Sequence, residues 1–380
     1  MDTSTSVYDY ATSMFPGSDN DTKIALHNIL RSFEYMARPS LHFQYYVSMF
    51  GVVLTVFHFF ILTRKSMRIS SIMSIMIGVA VCDFMTMISI IATDKTWFDE
   101  LGTDCTPPAT LFAIRLAWLF ITIRDMVRRS STWLGVLMAL IRFLVLRFST
   151  NHRVQKLSEP SFGFYSVFGC FFISTFFSIA YYFRYEFMEE GDWKPMSYCT
   201  DIPLDTVLPV TIQKPSALFS SNNGVIGKVY MFLNGIVSKV SSSQPSSQFL
   251  HSQIIPCVLL PILTLLLILE LQRADKLQRD SHFTKRSSSE RTTGLVAFMT
   301  VLFFAVELPI GVALVFQVAY TDMGYLYLAT YVSHICHAIF ILNATIHCLI
   351  CFLMSSQYRS TVANVLGIRM KTVTQLATIS

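Results

Sequence analysis

LAWLFITIRDMVRRSSTWLGVLMALIRFLVL, residues 116–146, decides how often this chain crosses a bilayer. The stretch is apolar at both ends and carries Arg124, Asp125, Arg128 and Arg129 in its middle. Split there, it becomes two spans around a basic loop, and the chain makes eight crossings. Read whole, it is one span whose charges face the interior of a bundle, where membrane-embedded ionisable residues usually sit. Asp125 then pairs with Arg128 or Arg129 at i+3 or i+4. The split places the C-terminus outside and reverses the charge bias of every later loop, so the whole reading is adopted.

Around this stretch lie six more of similar character, at about 42–62, 70–91, 161–183, 253–270, 293–319 and 326–354. Each is near the roughly 20 apolar residues that a helix needs to cross the hydrocarbon core. The chain is 53% hydrophobic and 14% charged, against about 25% charged in soluble domains. Only helices and closed barrels satisfy their backbone groups in lipid. These runs are too long and too continuously apolar for barrel strands. The expected fold is an all-α membrane protein, a seven-transmembrane helical bundle over 42–354. A polar N-terminal segment (1–41) precedes it, and a short amphipathic helix with a tail (355–380) follows. No cleavable signal peptide is apparent before Arg38-Pro39.

Lys and Arg set the orientation. Arg64, Lys65 and Arg68 lie in one short loop, and Arg147, Arg153 and Lys156 in a second. Arg273, Lys276, Arg279, Lys285, Arg286 and Arg291 lie in a third, and Arg359, Arg369 and Lys371 in the tail. All fall on one side, which is therefore cytoplasmic. The N-terminus is expected outside, at the plasma membrane. Asn20-Asp21-Thr22 is a glycosylation sequon on that outer side, with Asn20 as acceptor. Cys82, Cys170, Cys257, Cys336, Cys348 and Cys351 fall in spans, whereas Cys105 and Cys199 fall in outer segments. Disulfides persist outside the cell, so a Cys105–Cys199 bridge is expected.

No internal repeat supports the inverted-repeat architecture of many transporters. No paired catalytic motif supports an enzyme. His42, His58, His334, His337 and His347 lack acidic or Cys partners at metal-ligand spacing; His334 and His337 read as packed or hydrogen-bonded. No cofactor is expected, and nothing points to nucleic acid. The longest connection, about 184–252, is an outer loop rich in Ser, Asn and Gly towards its end. Such loops are functional or disordered.

Several motifs then occur in a familiar order. They are Phe57-His58, Ile61-Leu62-Thr63-Arg64-Lys65-Ser66-Met67-Arg68, Ile77-Gly78 and Cys82-Asp83. Next come Asp125, Arg128-Arg129-Ser130-Ser131-Thr132-Trp133-Leu134-Gly135, Met138-Ala139 and Ile141-Arg142. Glu307-Leu308-Pro309, His347-Cys348-Leu349-Ile350-Cys351 and Met354-Ser355-Ser356-Gln357-Tyr358-Arg359 complete the set. Together they resemble the nematode serpentine receptor class w family, over about 42–366. These are rhodopsin-like G-protein-coupled receptors related to FMRFamide and other neuropeptide receptors. The resemblance implies a heterotrimeric G protein, a peptide or small-molecule ligand and the lipid bilayer as partners.

The same resemblance implies roles for single residues. Asp83 matches the acidic residue that holds a sodium ion in rhodopsin-like receptors, with Ser131 and Asn343 matching two of its partners. His347 stands there in place of an Asn. Arg142 matches the arginine that contacts the G protein, although its usual acidic neighbour is Ile141 here. Thr55 stands where the first span normally has Asn. The stretch from His347 to Cys351 replaces the NPxxY motif, and Tyr358-Arg359 opens the amphipathic helix. Pro309 matches the bend proline of span six, with Phe303 six residues before it. Glu307 stands where most relatives have the toggle tryptophan. An Arg128–Glu307 ion pair is expected at the floor of the ligand pocket.

On the ligand side, Arg124 lies one turn above Arg128, at the usual contact level, with Asp125 between them. Trp118 and Trp97 lie nearer the outer mouth, and Gln317, Tyr320, Tyr327 and Tyr331 are expected to line spans six and seven. Asp94, Asp99, Glu100 and Asp104, then Glu186, Glu189, Glu190 and Asp192, make the outer loops acidic. Such a field concentrates cations, which suits a basic or amidated peptide. Small environmental cues are the alternative. In the third inner loop, Lys285-Arg286-Ser287-Ser288-Ser289-Glu290-Arg291 offers basic-flanked serines for phosphorylation. Compared with the family pattern, Val240 to Gln253 is an insertion, either a natural loop or a retained intron.

Overall fold

The computed structural model describes residues 10–100, 105–148 and 150–183, most of 185–216, scattered residues between 259 and 312, and 322–367. Its long helices are α1 (Asn20–Leu62), α2 (Ser71–Glu100), α3 (Leu111–Arg147), α4 (Pro160–Tyr182) and α5 (Met323–Met354). A short helix, α6 (Ser356–Val365), follows α5, and strands β1 (Tyr185–Trp193) and β2 (Leu208–Pro215) lie after α4. Among the described residues, five helices are long and apolar enough to cross a membrane. They correspond to expected spans one to four and seven. The expected spans at 253–270 and 293–319 lie largely outside the described residues. So do the 240–253 insertion and the serines at 287–289.

α3 is continuous through Arg124–Arg129. The 116–146 stretch therefore crosses as one helix, and the eight-crossing alternative falls away. Thr110 caps its start by accepting a hydrogen bond from the Ala113 N–H.

α1 begins far earlier than expected. Apolar length alone starts the first span near 42, whereas the helix starts at Asn20 and runs through Pro39. Asp19 caps it, accepting from the Thr22 N–H at 3.3 Å. Hydrogen bonds from Thr22 hold the Asp19 carboxyl below the usual carboxylate range. Lys23, His27, Leu30, Ala37, Gln44, Ser48, Gly51, Thr55 and His58 are all buried. They recur at helical spacing as one seam, and α1 packs along α5. Much of that seam is polar, so a search for apolar length overlooks its outer half.

α2 sits at the centre, in contact with α1, α3 and α4. Ile75, Val79, Cys82 and Met87 are buried there beside Leu134 and Met138 of α3 and Ile341 of α5. Small residues permit the close approach that membrane helices favour. A Cβ on Gly163 of α4 would lie 2.4 Å from the Ser71 carbonyl oxygen, and one on Gly78 of α2 would lie 2.7 Å from Val167.

The outer connection after α4 carries structure that its composition hides. β1 and β2 pair antiparallel, with an irregularity between Glu189 and Asp192. Gly191 takes φ +87° there, a conformation that suits glycine. Cys105 and Cys199 form the expected disulfide. Trp118 of α3 donates its indole N–H to the Tyr182 carbonyl at 3.1 Å and packs on Tyr181 and Tyr185. The start of the hairpin is thereby fixed to the outer end of α3.

Candidate functional site

The charges of α3 leave the helix in two directions. Arg129 donates to Asp125 at 2.7 Å, and their side chains are only 8% and 13% exposed. Arg129 also donates to the Ser174 carbonyl at 3.2 Å and to the Ser178 hydroxyl at 3.3 Å, both on α4. Its guanidinium lies 5.8 Å from the Phe177 ring. The i, i+4 spacing places acid and base on one face of the helix, and that face meets α4. Burial makes either charge expensive alone, and the pair with its added hydrogen bonds offsets much of that cost.

Arg124 and Arg128 lie one turn apart on a different face. Arg128 meets His337 of α5 through a short contact between its Nη1 and the imidazole Nε2. Arg124 and His334 lie within electrostatic reach of His337 as well. Four nitrogen-rich side chains, each partly buried, thus gather between α3 and α5. An anionic or carbonyl-bearing group meets several donors there.

Nearer the C-terminal end of α5, His347 Nδ1 lies 2.7 Å from Asp83 Oδ2, with both side chains almost wholly buried. This contact ties α5 to the central helix α2. Beyond the C-terminal end of α5, the Tyr358 hydroxyl of α6 lies 2.9 Å from His58 Nδ1 and 3.3 Å from Cys348 Sγ. Tyr358 is 1% exposed, and burial raises its phenol above the usual value. Arg359 donates to the Phe352 and Leu353 carbonyls at 3.2 and 2.7 Å. These are acceptors that the end of α5 leaves open. Ser66, in the turn after α1, shares a 3.0 Å hydrogen bond with Thr361. The three elements α1, α5 and α6 close around one tyrosine.

Residues 42–369 match a sequence family described as the serpentine type 7TM GPCR chemoreceptor Srw. The chain belongs to this family. No curated protein sequence matches the chain. The Srw chain is accordingly a seven-transmembrane G-protein-coupled receptor, a multi-pass membrane protein of a receptor class and not an enzyme.

Within this Srw receptor the expected site residues separate into groups. Arg124 and Arg128 face α5. Asp125 was expected on the ligand side, but it bonds to Arg129, which reaches α4. The i, i+4 partner wins over the i+3 partner because Arg129 also gains α4 hydrogen bonds. Tyr331 stands higher, at the outer end of α5, with Tyr327 stacked 6.4 Å away. Pro309 is in helical backbone. Glu307, Phe303 and Gln317 lie outside the described residues, and with them the expected Arg128–Glu307 pair. Arg142 is half-buried near the C-terminal end of α3, and its Nε makes no hydrogen bond among the described residues. Cys351 is buried. Asn20 is exposed as the first residue of α1.

Asp83, Ser131 and Asn343 each offer a buried oxygen that a cation would require. Asp83 Oδ1, Ser131 Oγ and Asn343 Oδ1 are each buried without a hydrogen bond among the described residues. A carboxylate, a hydroxyl and an amide oxygen are hard donors that suit a hard cation. His347 takes the other Asp83 oxygen, and these three oxygens keep no protein partner among the described residues.

The sequence singled out His58, His337 and Cys348 without their contacts and passed over Ser174 and Ser178. His337, His58, Cys348, Ser174 and Ser178 hold the functional side chains, yet none carries a motif that specifies its contact. The available signal was the unusual density of histidine in otherwise apolar spans.

Proposed function

We propose that this chain is a chemosensory receptor at the plasma membrane, with its N-terminus outside. It takes a small environmental molecule between α3 and α5 and signals to a heterotrimeric G protein through Arg142. The observation that carries this reading is the part-buried Arg128–His337 contact joining those helices. A ligand group with oxygen acceptors competes for Arg124, Arg128 and His337, and so changes the contact between α3 and α5. The family description names chemoreception, which favours a small cue over a neuropeptide. The peptide reading keeps one support, the acid-rich outer loops, which suit a basic peptide.

Glu307 belongs to this proposal as a second partner of Arg128. Glu307→Gln is expected to change basal signalling at unchanged surface expression. Asp83, Ser131 and Asn343 would hold sodium in the same receptor. Sodium, when bound, supplies a positive charge beside the buried Asp83 carboxylate.

A heterologous assay with a promiscuous G protein tests the reading, screened with odorants and with amidated peptides. A small-molecule response that disappears in Arg142→Ala supports it. A response to peptides alone transfers the site to the second reading. Silence to both panels at confirmed surface expression counts against signalling by either class.

A further inference from the structure

Residues 10–19 fold back onto the outer end of α5 as a strap. Ala11 and Phe15 are fully buried, and the Phe15 ring lies edge-on to Tyr325 at 5.2 Å. A Cβ on Gly324 would lie 2.2 Å from that ring, so glycine is what lets the ring seat. The Gly17 N–H donates to the Asp322 carboxylate at 3.3 Å. Asp322 precedes α5 and its side chain makes no cap to its own helix.

The strap closes one wall of a cavity of about 310 Å³. Tyr10 comes from the strap, His27, Arg31 and Glu34 from α1, and Tyr327 and Tyr331 from α5. The chemistry of these walls is uneven. Tyr327 and Tyr331 stack with 26° between their planes, and Tyr10 stands edge-on to His27 at 5.5 Å. Glu34, Tyr10, Arg38 and Tyr327 all lie within electrostatic reach of the Tyr331 phenol. Of the two charged lining residues, Arg31 is exposed, whereas Glu34 is half-buried. Glu34 bonds to Arg38, whose side chain is 75% exposed, and such solvent-facing pairs are weak. Aromatic faces around a carboxylate attract organic cations. The volume, at the small end for ligand sites, excludes a long peptide.

We propose that this cavity is an outer binding site for a small organic ammonium ion, and that the N-terminal strap is its closing wall. The ammonium sits against the Tyr327 and Tyr331 faces and replaces Arg38 as the partner of Glu34. Because Tyr10 completes the cavity, the occupied site holds the strap down on α5. The site is separate from the α3–α5 contacts and does not depend on which G protein or cue the receptor uses.

The test uses the full-length receptor in intact cells, labelled by a membrane-impermeant maleimide, with the parent chain as background. Ala11→Cys puts a thiol under the strap, and Tyr35→Cys, at a position 81% exposed, reports the unprotected rate. Tetramethylammonium is the probe. Ala11→Cys is expected to label more slowly than Tyr35→Cys, and the probe slows it further by 1 + [probe]/Kd, about tenfold at nine times Kd. Glu34→Gln abolishes the further slowing, and Gly324→Ala brings labelling up to the Tyr35→Cys rate. The proposal is overturned if the probe leaves the Ala11→Cys rate unchanged, or if sodium benzoate slows it as well as the ammonium does. It is equally overturned if Ala11→Cys labels as fast as Tyr35→Cys in the native background, because then the strap is not seated. Labelling reads no signalling, so failure of the proposed receptor function leaves this result intact.

Discussion

Arg129 and Asp125 face each other at 2.7 Å with little solvent on either side. Removing one partner strands the other as a buried charge, which typically costs about 3–5 kcal/mol. Asp125→Asn is therefore expected to lower the melting temperature of the purified receptor sharply. Replacing both residues with apolar side chains of similar size, as in Asp125→Leu with Arg129→Met, is expected to recover most of the loss. Equal melting of Asp125→Asn and the native chain would show that the pair contributes nothing. The Tyr358 hydroxyl is a milder case. Tyr358→Phe removes its contacts with His58 and Cys348 at about 1 kcal/mol each. A small drop in melting temperature together with altered basal signalling is the expected result, read by thermal shift and a reporter assay.

At the scale of the element, α4 is held to α2 by closeness more than by area. Gly163 lies against backbone at Ser71, which cannot rotate away as a side chain can. Gly163→Val is expected to cost about 1–3 kcal/mol or more through overpacking, seen as reduced surface expression. Gly169, whose Cβ would meet nothing within 4 Å, should tolerate the same change. Helix positions were legible in the sequence wherever the signal was apolar length, as for α2 to α5. α1 was half legible, because its outer seam is carried by Lys23, His27 and Gln44 alongside Leu30 and Ala37. The β1–β2 hairpin was hidden because β1 carries Glu186, Glu189, Glu190 and Asp192 and β2 is bounded by prolines, which mask a strand pattern. At the site, Arg124, Arg128 and Asp83 stood out as polar groups in apolar runs, and Tyr358 through the family resemblance. Their partners did not, since only packing brings His337 to Arg128 or His58 to Tyr358. The disulfide was legible by compartment, because Cys105 and Cys199 alone fall in outer segments.

At the scale of the whole molecule, the continuity of α3 removes the split that gave eight crossings. With seven spans, an N-terminal tag should be detected on intact cells, and a C-terminal tag only after permeabilisation. Detection of both tags on intact cells would restore an even number of crossings. The buried oxygens of Asp83, Ser131 and Asn343 make a second global expectation. Exchange of sodium for potassium should lower the melting temperature of the native receptor and leave Asp83→Asn unmoved. An equal response of both proteins would place any sodium effect elsewhere.

The α3–α5 contact is the central claim, and an agonist concentration–response series tests it most directly. The series compares the native receptor, Arg128→Gln, His337→Gln and the double variant at matched surface expression. If the two residues act as one ligand-responsive unit, each single change should shift potency by about tenfold or more. The double variant should then be little worse than either single one, as coupled neighbours behave. Unchanged potency in both single variants, or strictly additive shifts in the double, would contradict the account.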